Sequence, residues 1–89
     1  MYLRSIVEEA RYTEDFDNLR KHYPEMDEIQ ARLTWLLSRS PRAGERLAFA
    51  PDFYLISTGA VGNAPAFWIL YTIEPNTVTL HSIEPFPEA

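Results

Sequence analysis

The 89-residue sequence contains no cysteine, which excludes disulfides, thiolate catalysis and zinc sites built on sulfur. Histidine occurs only at His22 and His81, too few for a histidine metal cluster, so no metal or other cofactor is expected. No apolar run reaches the roughly 18 residues a membrane-spanning helix needs. The opening residues Met1 to Ser5 lack the apolar stretch of a signal peptide, and the expectation is a cytoplasmic protein without membrane contact. Positive charge is missing from the whole second half. All 8 basic residues lie at or before Arg46, and from Leu47 to Ala89 the only charges are Asp52, Glu74, Glu84 and Glu88. Neutralising phosphates requires Lys or Arg near the nucleic-acid backbone, so this half is expected to present a neutral to acidic face, and nucleic acid is only weakly supported as a partner.

What is present is ordinary for a globular chain: 46% apolar and 24% charged residues, with a net charge of −5. A chain of this length hides roughly 60–65% of its unfolded surface, enough for one core, and residues 1–89 are expected to form a single domain.

The pattern reads β-α-α-β-β-β. Tyr2 to Val7 has the composition of a first strand. Thr13 is placed to cap a first helix, with Glu14 and Asp15 at its positive end. Tyr12, Phe16, Leu19 and Tyr23 then follow on one helical stripe, and Pro24 stops the helix near His22. A second helix is expected over residues 25–38, with Met26, Ile29, Leu33, Leu36 and Leu37 in one apolar arc and Trp35 nearly opposite. Phe53 to Thr58 has strand composition, Gly59 to Pro65 reads as a loop, and Phe67 to Ile73 and Val78 to Ile83 flank a Pro75-Asn76 turn. Uninterrupted pairing across that turn sets Leu70 against His81. It places Phe67, Ile69, Tyr71, Ile73, Val78 and Leu80 on one face, and Trp68, Leu70, Thr72, Thr79, His81 and Ile83 on the other. The expected fold class is therefore α+β, a helical hairpin packed on one face of an antiparallel sheet.

Three stretches carry a resemblance to a known family. They are Phe16-Asp17-Asn18-Leu19-Arg20-Lys21-His22-Tyr23-Pro24, then Ser40-Pro41-Arg42-Ala43-Gly44-Glu45-Arg46-Leu47, and finally Pro65 to Ile73 followed by Val78 to Ile83. In this order and spacing they resemble the first helix, the helix-to-sheet link and the last two strands of the RelE/ParE superfamily of type II toxin–antitoxin toxins. The resemblance implies a toxin neutralised by an antitoxin protein. Trp68 stands where the family usually has arginine in its central strand. The tail, Glu84-Pro85-Phe86-Pro87-Glu88-Ala89, lacks the basic, His or Tyr residues common in the family's ribosome-dependent ribonucleases. The ParE branch acts by binding DNA gyrase, and a sheet without arginine agrees better with that branch. A messenger-RNA endoribonuclease and a non-toxic, dimeric interaction module are the alternatives.

The candidate residues follow from the same pattern. Trp68, Leu70 and Ile83 would form an apolar patch for a partner, with Trp35 a second anchor on the helix. Arg39, Arg42 and Arg46 cluster after the second helix and are candidates for contact with phosphate or an acidic partner. If there is catalysis, His81 and Tyr71 are the proton carriers, although no carboxylate or cation is specified beside His81. Ser82 is expected on the sheet face opposite His81. Gly59 to Asn63 lacks the lysine and following helix of a phosphate cradle, and the runs Glu8-Glu9 and Glu25, Asp27, Glu28 read as solvated or helix N-terminal charges.

Overall fold

The structure, a computed structural model, describes residues 3–85. Tyr2 of the expected first strand and Phe86 to Ala89 of the expected tail lie outside the described residues.

Strand β1 (Ser5–Glu8) leads into helix α1 (Ala10–Arg20) and helix α2 (Met26–Arg39), and a single 3₁₀ turn at Pro41–Ala43 carries the chain to the sheet. The sheet continues with β2 (Glu45–Leu47), β3 (Ala50–Ser57), β4 (Phe67–Ile73) and β5 (Thr77–Pro85). The strand order is β1-β5-β4-β3-β2.

The expected element order recurs with one short strand, β2, added ahead of β3. Three residues, two of them charged, are too few to show a period, but pairing of Glu45 with Leu55 and Arg46 with Tyr54 holds the strand in the ladder. The sheet is mixed. Consecutive strands β2 to β5 pair antiparallel, whereas β1, which the helical hairpin separates from β2 at the far edge, joins β5 in parallel. Parallel neighbours cannot be joined by a tight turn, and here both helices and three strands lie between β1 and β5.

Helix α1 starts earlier than its expected cap. The ladder between β1 and β5 runs on to a bond from the Glu9 N–H to the Leu80 carbonyl, and the chain turns into the helix there. Thr13 therefore sits one turn inside, where its hydroxyl donates to Glu8 Oε1 at 3.0 Å. The helix closes at Leu19, whose carbonyl accepts from the N–H groups of both His22 and Tyr23 just ahead of Pro24. Asp27 and Glu28 in the first turn of α2 and Arg39 in its last complement the helix dipole.

The core lies between the helices and one sheet face. Tyr12 and Phe16 of α1, and Met26, Ile29, Leu33 and Leu37 of α2, meet Phe67, Ile69, Tyr71, Val78, Leu80 and Ile83 of the sheet. Each helix contributes positions three or four apart, the spacing that aligns side chains on one face.

Ile83 departs from the expected face. The register steps from Tyr71 opposite Leu80 to Leu70 opposite Ser82, so β5 carries His81 as an extra residue. This bulge reverses the parity of everything after it. Ile83 pairs with Ile69 and is 3% exposed, inside the core rather than beside Trp68 and Leu70. Ser82 faces the same side as Leu70 and shares the open face with His81, which corrects the expectation that strand geometry separates the two.

Candidate functional site

Both helices cover the same side of the sheet. The other side displays, along β3 and β4, the residues that alternate with the core: Phe53, Leu55, Trp68, Leu70 and Thr72, all partly buried. Leu55 lies directly opposite Leu70, and Phe53 opposite Thr72, so the apolar side chains form one continuous strip. Trp68 and Leu70 are thus on the face expected of them. Ile83 is not, for the reason given above. Trp35 lies elsewhere, on the solvent side of α2, 60% exposed and with the Arg39 guanidinium 4.5 Å from its ring centroid.

Carboxylates stand along the strip, with Arg42 and Arg46 near its Thr72 end. Glu84 is paired opposite Trp68 and Glu45 opposite Leu55. Glu74 accepts from the Thr72 hydroxyl at 3.0 Å and from that of Thr79 at 3.1 Å. Glu9, just past β1, contacts His81 Nδ1. The acid beside His81 has no local sequence signal, because it arrives through the parallel pairing of β1 with β5.

His81 is fully engaged. Its Nε2 lies 2.8 Å from the Thr72 hydroxyl, its Nδ1 meets the Glu9 carboxylate, and the Phe53 ring is 5.2 Å away between centroids. Two influences oppose each other on the imidazole. Burial disfavours its charged form and Glu9 favours it. Burial prevails, holding the pKa below its usual value of 6.5. The stability this contributes is fully present above the unfolded pKa and is lost as pH falls through the lowered folded value. Urea midpoints should therefore begin to decline as pH falls toward the ordinary histidine value of 6.5 and go on declining through the lowered folded value. The decline should be shallower in His81→Gln, and an equal decline in both proteins would show that another group sets it.

Tyr71 is turned inward. It is fully buried and stacked on Tyr54 with centroids 5.5 Å apart. Its hydroxyl donates to the Pro41 carbonyl at 2.7 Å and accepts from the Gly44 N–H at 2.9 Å. A Cβ on Gly44 would stand 2.6 Å from that oxygen, so only glycine lets the link approach so closely. Burial raises the Tyr71 pKa. The residue ties the helix-to-sheet link to the core.

The arginines divide. Arg39 belongs to the Trp35 surface. Arg42 and Arg46 line one open cleft of about 380 Å³ with Tyr54, Thr72, Asp52 and Glu74. Arg46 belongs to β2, so a cation does reach the β layer, which corrects the expectation of a sheet without arginine. It is held by a bond from its Nε to the Pro51 carbonyl at 2.7 Å. Arg42, with Arg4, also lines the adjoining cleft beside Ile73. His81 stays one hydrogen bond behind Thr72.

No protein-family model matches the chain, and no curated protein sequence matches it. Solved structures do. The chain is similar to one in the crystal structure of the intact E. coli RelBE toxin–antitoxin complex, with 18% identity over 96% of this chain and 99% of that one and a TM-score of 0.69. It is also similar to one in the chromosomal ParDE TA system from P. aeruginosa, with 11% identity over 98% of this chain and 100% of that one and a TM-score of 0.72. The fold is of the RelE/ParE type. Among the described residues no helix is long and apolar enough to cross a membrane.

Proposed function

We propose that this chain is the toxin component of a type II toxin–antitoxin pair, acting in the cytoplasm by binding a protein target and neutralised by an antitoxin protein. The observation that carries the reading is the agreement in fold with chains of two toxin–antitoxin complexes over nearly the whole length of every chain compared. The sheet face opposite the helices carries an apolar strip along Phe53, Leu55 and Leu70, which agrees with a life in complex. Induction in a bacterial host should arrest growth while leaving messages intact. Co-expression with the reading frame adjacent to its gene should relieve the arrest and yield a co-purifying pair. Unimpeded growth together with no co-purifying product would discard the reading in favour of a non-toxic, dimeric module.

One observation favours a second reading, cleavage of messenger RNA. Arg42 and Arg46 meet in one cleft beside Thr72, which bonds His81. Against it, both ring nitrogens of His81 are engaged, Tyr71 is buried, and Asp52 and Glu74 share the cleft with the arginines. Carboxylates at that position repel the phosphate that the arginines would have to hold. Message cleavage on induction that is lost in His81→Gln would establish this second reading instead.

A further inference from the structure

We propose that the cleft at the C-terminal end of α2 holds an acidic side chain of the partner protein, its carboxylate between Arg42 and Arg4. The inference rests on the antitoxin reading and adds to it the place and charge of one anchor.

Arg42 differs from every other arginine of the chain. Arg11, Arg20 and Arg32 pair with carboxylates, Arg39 stacks on Trp35, and Arg4 and Arg46 each donate through Nε to a backbone carbonyl. Among the described residues Arg42 makes no hydrogen bond and no ion pair. The backbone beneath it is nevertheless fixed. The Ala43 N–H donates to the Ser40 carbonyl at 3.0 Å, and the Tyr71 hydroxyl holds Pro41 on one side and Gly44 on the other. A clamped turn thus presents an unengaged guanidinium to a cleft of about 440 Å³, with Arg4, Ser40 and Ile73 also in its wall. Arg4 is itself positioned, its N–H on the Ser38 carbonyl and its Nε on the Glu74 carbonyl, both at 3.1 Å. Cations set in place beforehand reduce the ordering cost of taking up an anion.

Every charge near the cleft enters the choice of occupant. Arg4 and Arg42 are the charged residues of its wall. Across Ile73 the adjoining cleft adds Arg46, Asp52 and Glu74. The Glu74 carboxylate is taken up by the hydroxyls of Thr72, Thr77 and Thr79. The negative end of the α2 dipole opposes an anion, but its last carbonyls are already bonded, Leu36 by the Ser40 N–H and Ser38 by the Arg4 N–H. Three arginines against two carboxylates suit one anion and not a strand of nucleic acid, whose next phosphates would meet Asp52. A planar carboxylate matches the guanidinium fork, and Pro41, Ala43 and Ile73 offer apolar contact to the methylenes that carry it.

The test is an NMR titration of the full chain, following the backbone amides of Arg42, Ala43 and Ile73. The probes are the blocked tripeptide Val-Glu-Val, its neutral counterpart Val-Gln-Val, and inorganic phosphate at the same ionic strength. Val-Glu-Val should shift these amides, and Val-Gln-Val should bind about tenfold more weakly. Arg42→Gln changes an exposed side chain and should weaken Val-Glu-Val by about the same factor. Equal binding of the two peptides, or Val-Glu-Val binding unchanged by Arg42→Gln, would overturn the proposal. Tighter binding of phosphate than of Val-Glu-Val would hand the cleft to a phosphate ligand and equally overturn it. In the co-purified pair, Arg42→Gln should weaken the partner about tenfold and flatten the salt dependence of its affinity. A partner held equally tightly by both proteins would remove the carboxylate anchor and leave the antitoxin reading standing. Failure of any partner to co-purify would remove that reading and the anchor with it.

Discussion

Tyr71→Ala is expected to leave the chain unfolded or close to it, although the residue lies in a strand that looks, by sequence, like part of a candidate active site. Removing a fully buried aromatic ring costs about 3–5 kcal/mol. The Gly44 N–H and the Pro41 carbonyl, which meet the Tyr71 hydroxyl at 2.9 and 2.7 Å, would then lose their partner, at roughly 1–3 kcal/mol more. A chain of this size has a total stability of only about 4–13 kcal/mol to lose. Tyr71→Phe separates the ring from the hydroxyl. It keeps the stacking on Tyr54 and should cost about 1–3 kcal/mol, read as a lower urea midpoint with an unchanged slope. A Tyr71→Phe protein as stable as the parent that has lost toxicity would instead make the hydroxyl a chemical group.

The difference between a structural and a chemical tyrosine was not legible in the sequence, and the reason is physical. Strand period shows that Tyr71 shares a face with Ile69 and Ile73. It cannot show that the link at Pro41 to Gly44 folds over the end of that face. Long, strongly periodic segments were readable: both helices, the three longer strands and the turn at Pro75-Asn76. So was the alternation that sends Trp68 and Leu70 to one side. Three features depend on tertiary partners and left no local trace. Strand β2 is held only by its neighbour, Glu9 reaches His81 because β1 is parallel to β5, and the arginines of the link separate because Arg39 ends a helix while Arg46 enters the sheet. That last feature matters most for function. Counting charge along the chain hid the arginine, Arg46, that the topology returns to the sheet.

The bulge at His81 gives the sharpest contrast between adjacent candidates. Leu70 and Ile83 read as neighbours in one patch if β5 runs straight. With one extra residue in β5, Ile83 enters the core at 3% exposure and Leu70 remains on the open face. Ile83→Ser should therefore cost roughly 3–6 kcal/mol, the sum of a cavity left by lost methyl groups and a hydroxyl buried without an assigned partner. Leu70→Ser should cost about 1 kcal/mol, because its half-buried side chain leaves no enclosed void. The functional effects should run the other way. Leu70→Ser protein should fold, yet lose partner affinity by roughly thirtyfold, as expected for a side chain near the centre of a docking strip. Both substitutions leave the net charge unchanged, which separates packing from electrostatics. Equal destabilisation by the two would mean that β5 pairs without the bulge. Unaltered co-purification of Leu70→Ser with the partner would mean that the partner engages another surface, for which Trp35 and its stacked Arg39 are the next place to look.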